Sequence, residues 1–380
     1  MKSTKSDILL FIKKSSFIVL PMLVLIGLPT YVMVTLGELV SIDKVIDLQK
    51  GNKRNVLLGL AYSNSDVYYK LTSVIKRQPD IIALGSSRVL CFSPSFFTKK
   101  VQFFNAGLGV SKLHHFSEFL EKIPDTKEPK VILMGVDQYY FNDNFNKNFR
   151  SQDNYEQSYH NGGSYVAKFK KGYTAVYDDF LNGKLLFRDI NRQDNSFETF
   201  GLNARIHAFG FRNDGCIQSS DPYNKNDHLF QDTFRRIEKG VQRFEYGKEL
   251  SEKSLHELDK FLSECKKRNI YVVGFLPPFA NSVVNKIHSM KDKYSYLSLL
   301  SPEIQPIFSK YNFNFFDYTD ISSLGAQDIE FIDGFHGCEK AYLRLFINMV
   351  ENDTHLQKIA DVSALKLALK QAKNDCKVFE

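Results

Sequence analysis

Apolar positions along this chain follow two unlike patterns. From Phe17 to Leu36 they form an uncharged run of 20 residues, FIVLPMLVLIGLPTYVMVTL. As a helix rising 1.5 Å per residue, such a run reaches about 30 Å, the thickness of a bilayer's hydrocarbon core. Pro21 and Pro29 interrupt it, and membrane helices tolerate proline. From residue 80 onward, short runs of strand type alternate with longer stretches of helical periodicity. The strand-type runs are residues 80–84, 101–106, 131–136, 270–276 and 313–318, rich in β-branched and aromatic side chains. Helical patterns cover residues 113–123, 251–268 and 339–350. In the second of these Leu255, Leu258, Leu262 and Cys265 share one face. Alternation of this kind predicts an α/β fold, a three-layer sandwich around a central parallel sheet, preceded by one transmembrane helix.

Five segments follow from the pattern: a cytoplasmic tail at 1–16, the transmembrane helix at 17–36, a membrane-proximal segment at 37–79, the α/β domain at 80–353, and a helical tail at 354–380. Residues 142–246 break the alternation. They are rich in Asn, Asp, Gly and Tyr, and read as an insertion or cap over the strand ends. Lys2, Lys5, Lys13 and Lys14 precede the apolar run, whereas Glu38, Asp43 and Asp47 follow it among fewer lysines. That asymmetry predicts a cytoplasmic N-terminus and an extracytoplasmic (periplasmic or extracellular) main domain.

Charge narrows the partners. The net charge of +7 comes from scattered lysines rather than a basic stripe, so no nucleic-acid partner is expected. Membrane lipid and glycan are the expected contacts. The five cysteines, Cys91, Cys216, Cys265, Cys338 and Cys376, form neither a CxxC pair nor a Cys/His zinc spacing. No metal, no organic cofactor and no disulfide framework are expected.

Two short stretches carry candidate chemistry. In Ile81-Ile82-Ala83-Leu84-Gly85-Ser86-Ser87-Arg88 a buried strand ends in glycine and two hydroxyl residues, as a nucleophile on a strand-to-helix turn requires. In Ile332-Asp333-Gly334-Phe335-His336 an Asp stands three residues before a His, a spacing that lets it fix the imidazole tautomer. Each alone also fits an ordinary turn.

Together the two stretches resemble the first and last blocks of SGNH hydrolases. That resemblance implies Ser87 as nucleophile, His336 as general base and Asp333 as the residue orienting it. Ser86 stands where the family's first block usually has Asp, as in its polysaccharide O-acetylation and D-alanyl-transfer branches. Asn105-Ala106-Gly107-Leu108-Gly109 is similar to the second block, which implies an oxyanion hole of N–H groups from Ser87 and from Gly109 or Gly107. In the third block, Gly135-Val136-Asp137-Gln138, Asp137 occupies the place of an Asn. A carboxylate cannot donate. Asp137 therefore either holds Arg88 or Arg212, or leaves the oxyanion hole to backbone groups. Gly210-Phe211-Arg212-Asn213-Asp214-Gly215 resembles a motif in membrane-anchored members linked to surface glycans. Its Arg212 and Asp214 fit a sugar- or carboxylate-binding loop and, equally, a turn held by an internal ion pair.

The function these readings imply is serine-dependent transfer of an acyl group (an acetyl group above all) to an envelope or extracellular polysaccharide, or removal of such an ester. An integral-membrane acyl-donor protein is the expected partner of a transferase. The alternative is a non-catalytic glycan- or partner-binding accessory protein.

Overall fold

The structure is a computed structural model that describes residues 5–51, 55–149, 154–190, 196–218 and 229–379. Parts of the expected cytoplasmic tail, of the polar stretch before residue 55 and of the insertion lie outside the described residues.

The described strands are β1 (Val56–Leu58), β2 (Ile81–Gly85), β3 (Phe103–Gly107), β4 (Val131–Gly135), β5 (Glu198–Phe200), β6 (Gly210–Phe211), β7 (Ile217–Gln218), β8 (Tyr271–Leu276) and β9 (Asn314–Asp317). The five strand-type runs of the sequence become one five-stranded sheet in the order β3-β2-β4-β8-β9. Every neighbouring pair in it is parallel. All residues of β2, β3 and β4 are buried, so both faces of the sheet are covered there. Asp66–Arg77 packs beside β3, Glu252–Lys267 on β8, and Leu297–Lys310 on β9. Glu252–Lys267 starts where its sequence indicates: the Ser251 hydroxyl accepts from the Ser254 N–H at 3.4 Å, and Leu258, Leu262 and Cys265 are buried. Strand β8 stops at Pro277-Pro278, which have no N–H to continue a ladder.

The order of strands places the first turn of the domain at a switch point. From β2 the chain goes out to β3 on one side, then returns to β4 on the other. The carboxyl end of β2 therefore borders a crevice that neither crossover fills, the usual location of a site in an open parallel sheet. Ser87 lies two residues beyond it.

A second, mixed sheet has the order β5-β1-β6-β7. Strand β1 pairs parallel with β5 and antiparallel with β6. The membrane-proximal segment and the insertion thus share a sheet. Lys70 of Asp66–Arg77 ties this unit to the main sheet. Fully buried, its ammonium donates to the carbonyls of Asn105, in the middle of β3, and of Gly215, and lies 4.0 Å from the centre of the Phe211 ring. Gly215 has φ +78°, and a Cβ there would stand 2.4 Å from the Asn105 oxygen, so only glycine fits.

The N-terminal helix, Lys5–Thr35, is long and apolar enough to cross a membrane. Its C-terminal end is part of the domain: Val32, Met33 and Leu36 cluster with Tyr62, Val176, Leu185, Ile190 and Leu202. Just beyond it the buried Glu38 accepts the N–H groups of Ala61, Tyr62 and Leu202. Burial raises this carboxyl, against the pull of those N–H groups and of Lys168.

At the other terminus the tail docks back on Glu339–Asn352. The Glu339 carboxylate accepts from Val378 and Phe379 N–H at 2.8 and 3.0 Å. A disulfide joins Cys338 to Cys376. One bridge is not a framework, and the pairing of the cysteines is left open by the sequence. The spacing of 38 residues between the bridged cysteines matches no motif, and the pairing exists only because the tail folds back.

Burial pushes the Lys70 ammonium down from its ordinary value near 10.5 to about 7, against nearby Cys216, Asp66 and Asp214. Between those pH values the unfolded chain binds the proton and the folded one does not, so stability rises with pH across the window. The contribution is complete above the ordinary lysine value and is lost as pH falls to about 7. Urea unfolding of the wild type is expected to show this rise between pH 7 and 10, and Lys70→Met to flatten it.

Candidate active site

Ser87 opens the short 3-10 turn Ser87–Val89 at the end of β2, a turn capped by the Ser86 hydroxyl, which accepts from the Arg88 N–H at 3.2 Å. His336 lies in the loop before Glu339–Asn352. The fold brings the two together across 249 residues: Ser87 Oγ is 2.9 Å from His336 Nε2. On the far side of the ring, His336 Nδ1 is 2.9 Å from Asp333 Oδ2 and 3.1 Å from Oδ1. Three residues form one hydrogen-bonded line.

Asp333 is fixed by more than the imidazole. Its Oδ1 also accepts the N–H groups of Phe335 and His336, at 3.0 and 2.7 Å. Gly334 makes this tight loop possible at φ +77°. Thr233 holds the loop from below, donating to the Asp333 carbonyl at 2.8 Å. Burial alone would raise the Asp333 carboxyl. The hydrogen bonds from His336 and Phe335 and the imidazole's charge outweigh it and hold the carboxyl well below the usual carboxylate range. An ionised Asp333 beside Nδ1 places the ring hydrogen there and leaves Nε2 free to accept from Ser87.

The buried Arg88 side chain locks the turn in place. It pairs with Asp137 at 3.1 Å and donates to Gln138 Oε1 at 2.7 Å and to the carbonyls of Pro277 and Pro278 at 2.9 and 2.6 Å. Its guanidinium carbon lies 4.4 Å from the ring centre of Phe279 and 4.5 Å from that of Phe335. Tyr139 donates to the other Asp137 oxygen at 3.1 Å. Of the alternatives open for Asp137, the structure has it holding Arg88.

The expected oxyanion glycines are differently employed. The Gly107 N–H donates to Asn105 Oδ1 at 2.8 Å and the Gly109 N–H to the Ala106 carbonyl at 3.0 Å. Between them Leu108, at φ +67°, donates to the Gly85 carbonyl. Only the Leu108 N–H braces the ends of β2 and β3 against each other; those of Gly107 and Gly109 close local turns at the β3 end, so Gly107 and Gly109 are not free donors here. The Ser87 N–H, at the first position of its turn, meets no acceptor among the described residues.

Arg212 and Asp214 are not brought to Ser87. They form an ion pair at 3.0 Å across the β6–β7 turn, where Asp214 also accepts the Cys216 N–H. They line a separate cavity of about 620 Å³ with Arg77, Pro79 and Gln102. Pro79 and Gln102 precede β2 and β3, so this cavity lies at the opposite end of the strands, about 16 Å away for five residues of strand.

Ser86 and Ser87 open on a cavity of about 350 Å³ whose other walls include Asp66, His115, Tyr139, Lys171 and Arg243. Arg243 is a residue that sequence reasoning missed. It has φ +79°, follows Gln242 at φ +55°, and its guanidinium carbon lies 5.8 Å from the Phe335 ring centre and 5.9 Å from that of Tyr139. A left-handed arginine beside a candidate nucleophile is a backbone strain that only the fold reveals. One group among the described residues has the ligand chemistry of a metal site: atoms of His114, His115 and Glu118 lie within 4.8 Å of one another. Ser111 already occupies His115 Nδ1, at 3.1 Å. No sequence spacing marks this trio, because His114 and His115 are adjacent.

No family model, no curated protein and no solved structure matches this chain.

The Arg88–Asp137 pair yields a stability prediction. Asp137→Ala strands a buried cation and is expected to cost about 3–5 kcal/mol in urea unfolding. Replacing both partners by apolar residues, Arg88→Met with Asp137→Leu, is expected to cost less than Asp137→Ala alone.

Proposed function

We propose that this protein is a membrane-anchored, serine-dependent acyl-transfer enzyme of SGNH type that acts on an ester, above all an acetyl ester, of an envelope or extracellular polysaccharide. The hydrogen-bonded line Ser87–His336–Asp333 carries the proposal. Ser87 Oγ attacks the acyl carbonyl carbon while His336 Nε2 takes the hydroxyl proton. Asp333 stabilises the imidazolium that forms. Collapse of the tetrahedral adduct expels the donor's alkoxide, which takes its proton from His336 and leaves an acyl-Ser87 ester. A glycan hydroxyl then attacks that ester in a transferase; water does so in an esterase. No metal or organic cofactor enters these steps.

Several features support the reading. The strand order 2-1-3-4-5 of the main sheet, counted from β2, is a doubly wound order with its site at the switch point. The cavity at Ser87 mixes hydroxyl, amide and aromatic groups, as recognition of a sugar requires. The Cys338–Cys376 bridge suits an oxidising compartment, and the lysines before the N-terminal apolar run set the orientation that would put the domain there. Transfer rather than hydrolysis follows from the anchor, which would hold the domain beside an integral-membrane acyl donor.

The engaged N–H groups of Gly107 and Gly109 favour a second reading, a non-catalytic accessory protein that binds glycan or a partner with the same cavity. A serine-directed fluorophosphonate separates the two. The wild-type chain is expected to label at Ser87, with labelling abolished in Ser87→Ala and reduced by orders of magnitude in His336→Ala. Absence of labelling in a folded wild-type chain that still supports glycan acylation in cells would establish the accessory role.

A further inference from the structure

The N-terminal helix is only partly free to enter a bilayer. Residues 17–27 are exposed, whereas Pro29, Val32, Met33 and Leu36 are buried in the domain. Of the uncharged run 17–36, the freestanding part is Phe17 to Gly27, about 16 Å of helix and half a hydrocarbon core. Lys13 and Lys14 bound it on the other side. A bilayer that takes up this freestanding part, with its boundary below the domain, ends near the level of Gly27.

The element found at that level is the helix Tyr165–Leu181, which lies against the N-terminal helix. Gly172 sits on Met33; a Cβ there would be 2.3 Å from the Met33 sulfur, the close approach that small residues allow in membrane helix pairs. Five residues on, the Tyr177 hydroxyl donates to the carbonyls of Val24 and Leu25, at 3.2 and 2.6 Å. The two helices thus run antiparallel, and the Leu181 end reaches furthest along the free part. A phenol facing water has solvent to bond. One facing lipid must use a protein carbonyl, as Tyr177 does. Tyr173 and Tyr177 stack edge to face at 5.8 Å, the residue type that populates bilayer interfaces. Leu181 is 84% exposed at the tip. Asp178 and Lys184 flank it, which suits headgroup depth rather than the hydrocarbon centre.

We propose that the Tyr173-to-Leu181 half of this helix is inserted in the membrane interface, so that the domain rests on the bilayer instead of hanging from a free tether. The proposal rests on the membrane-spanning reading of the N-terminal helix. It has a consequence for the site. Lys171, on the same helix, lines the cavity at Ser87, so the wall of that cavity is continuous with the docked element. An acyl donor held at the membrane surface would meet Ser87 without leaving it.

The chain contains no tryptophan, so a single introduced Trp reports its own surroundings. The full-length protein is reconstituted in phosphatidylcholine vesicles with and without brominated acyl chains, as Leu23→Trp, Leu181→Trp, Val166→Trp and Leu299→Trp in turn. Leu23 lies in the free apolar run. Val166, 78% exposed, stands about 22 Å up the helix from Leu181. Leu299 is an exposed position on Leu297–Lys310, against β9. The expected result is strong quenching at Leu23→Trp, blue-shifted emission with several-fold more quenching at Leu181→Trp than at Leu299→Trp, and Val166→Trp close to Leu299→Trp. Quenching at Leu23→Trp with Leu181→Trp no different from Leu299→Trp overturns the docking and leaves the anchor standing. Blue-shifted but unquenched emission at Leu181→Trp also overturns it, in favour of a protein contact. No quenching at Leu23→Trp overturns the anchor and the docking together.

Discussion

The arrangement at the strand ends depends on one buried cation. Arg88 is anchored at four acceptors that belong to the ends of two neighbouring strands, Asp137 and Gln138 after β4 and the Pro277 and Pro278 carbonyls after β8. Phe279 and Phe335 both pack against it, with their ring centres 5.9 Å apart. Arg88 adjoins Ser87 in sequence, and Phe335 adjoins His336. One guanidinium thus sets the position of both halves of a pair that is 249 residues apart along the chain. A lysine would not serve, because a point charge cannot hold four divergent acceptors while packing against two rings. The carboxylate at 137 follows from this. A buried guanidinium needs a counterion, and an amide in that position would accept one hydrogen bond and neutralise nothing.

Satisfying buried polar groups also explains how the peripheral parts attach. Lys70 joins the small sheet to the main one through two backbone carbonyls, and Glu38 joins the N-terminal helix to the domain through three backbone N–H groups. Both are ionisable side chains serving the main chain rather than each other. Such contacts are directional, so they fix where the elements sit more sharply than apolar packing alone would. The C-terminal end of the N-terminal helix is thereby rigidly joined to the insertion that walls the cavity.

What was legible in the chain is what is periodic or short in range. The five strands of the main sheet announce themselves because parallel strands are apolar throughout, and β8 is cut off by two prolines. The Ser251 cap marks a helix start through a contact three residues away. Asp333 and His336 were readable for the same reason, their spacing being that of the contact itself. Leu297–Lys310 was not, because Pro302 and Pro306 within it argue against a helix. The mixed sheet was hidden because its strands are only two or three residues long, too short for any period to develop. Arg243 and the Cys338–Cys376 bridge were hidden because their meaning arises from segments that meet only on folding. The choice at Asp137 between Arg88 and Arg212 was of the same kind, decided by which arginine the turn after β2 buries.

The same geometry bears on how an oxyanion would be met under the proposed chemistry. The N–H groups of Gly107 and Gly109 are taken by Asn105 and Ala106, and Asp137 is consumed as a counterion. The cavity is lined by Ser87, whose N–H meets no acceptor among the described residues, and by two cations, Lys171 and Arg243, the latter beside Tyr139 and Asp137. A fixed cation in a partly buried cavity stabilises developing negative charge strongly, because little water is present to screen it. It also attracts a carboxylate, so an uncharged acyl ester and an anionic sugar would compete for the same arginine. Holding Arg243 at φ +79° stores backbone strain that packing around Phe244 and Phe335 must overcome. Strain of this sort is retained where a side chain has to be aimed. Under the proposed function, its location on the Ser87 cavity, rather than at the Arg212 turn, points to substrate recognition there.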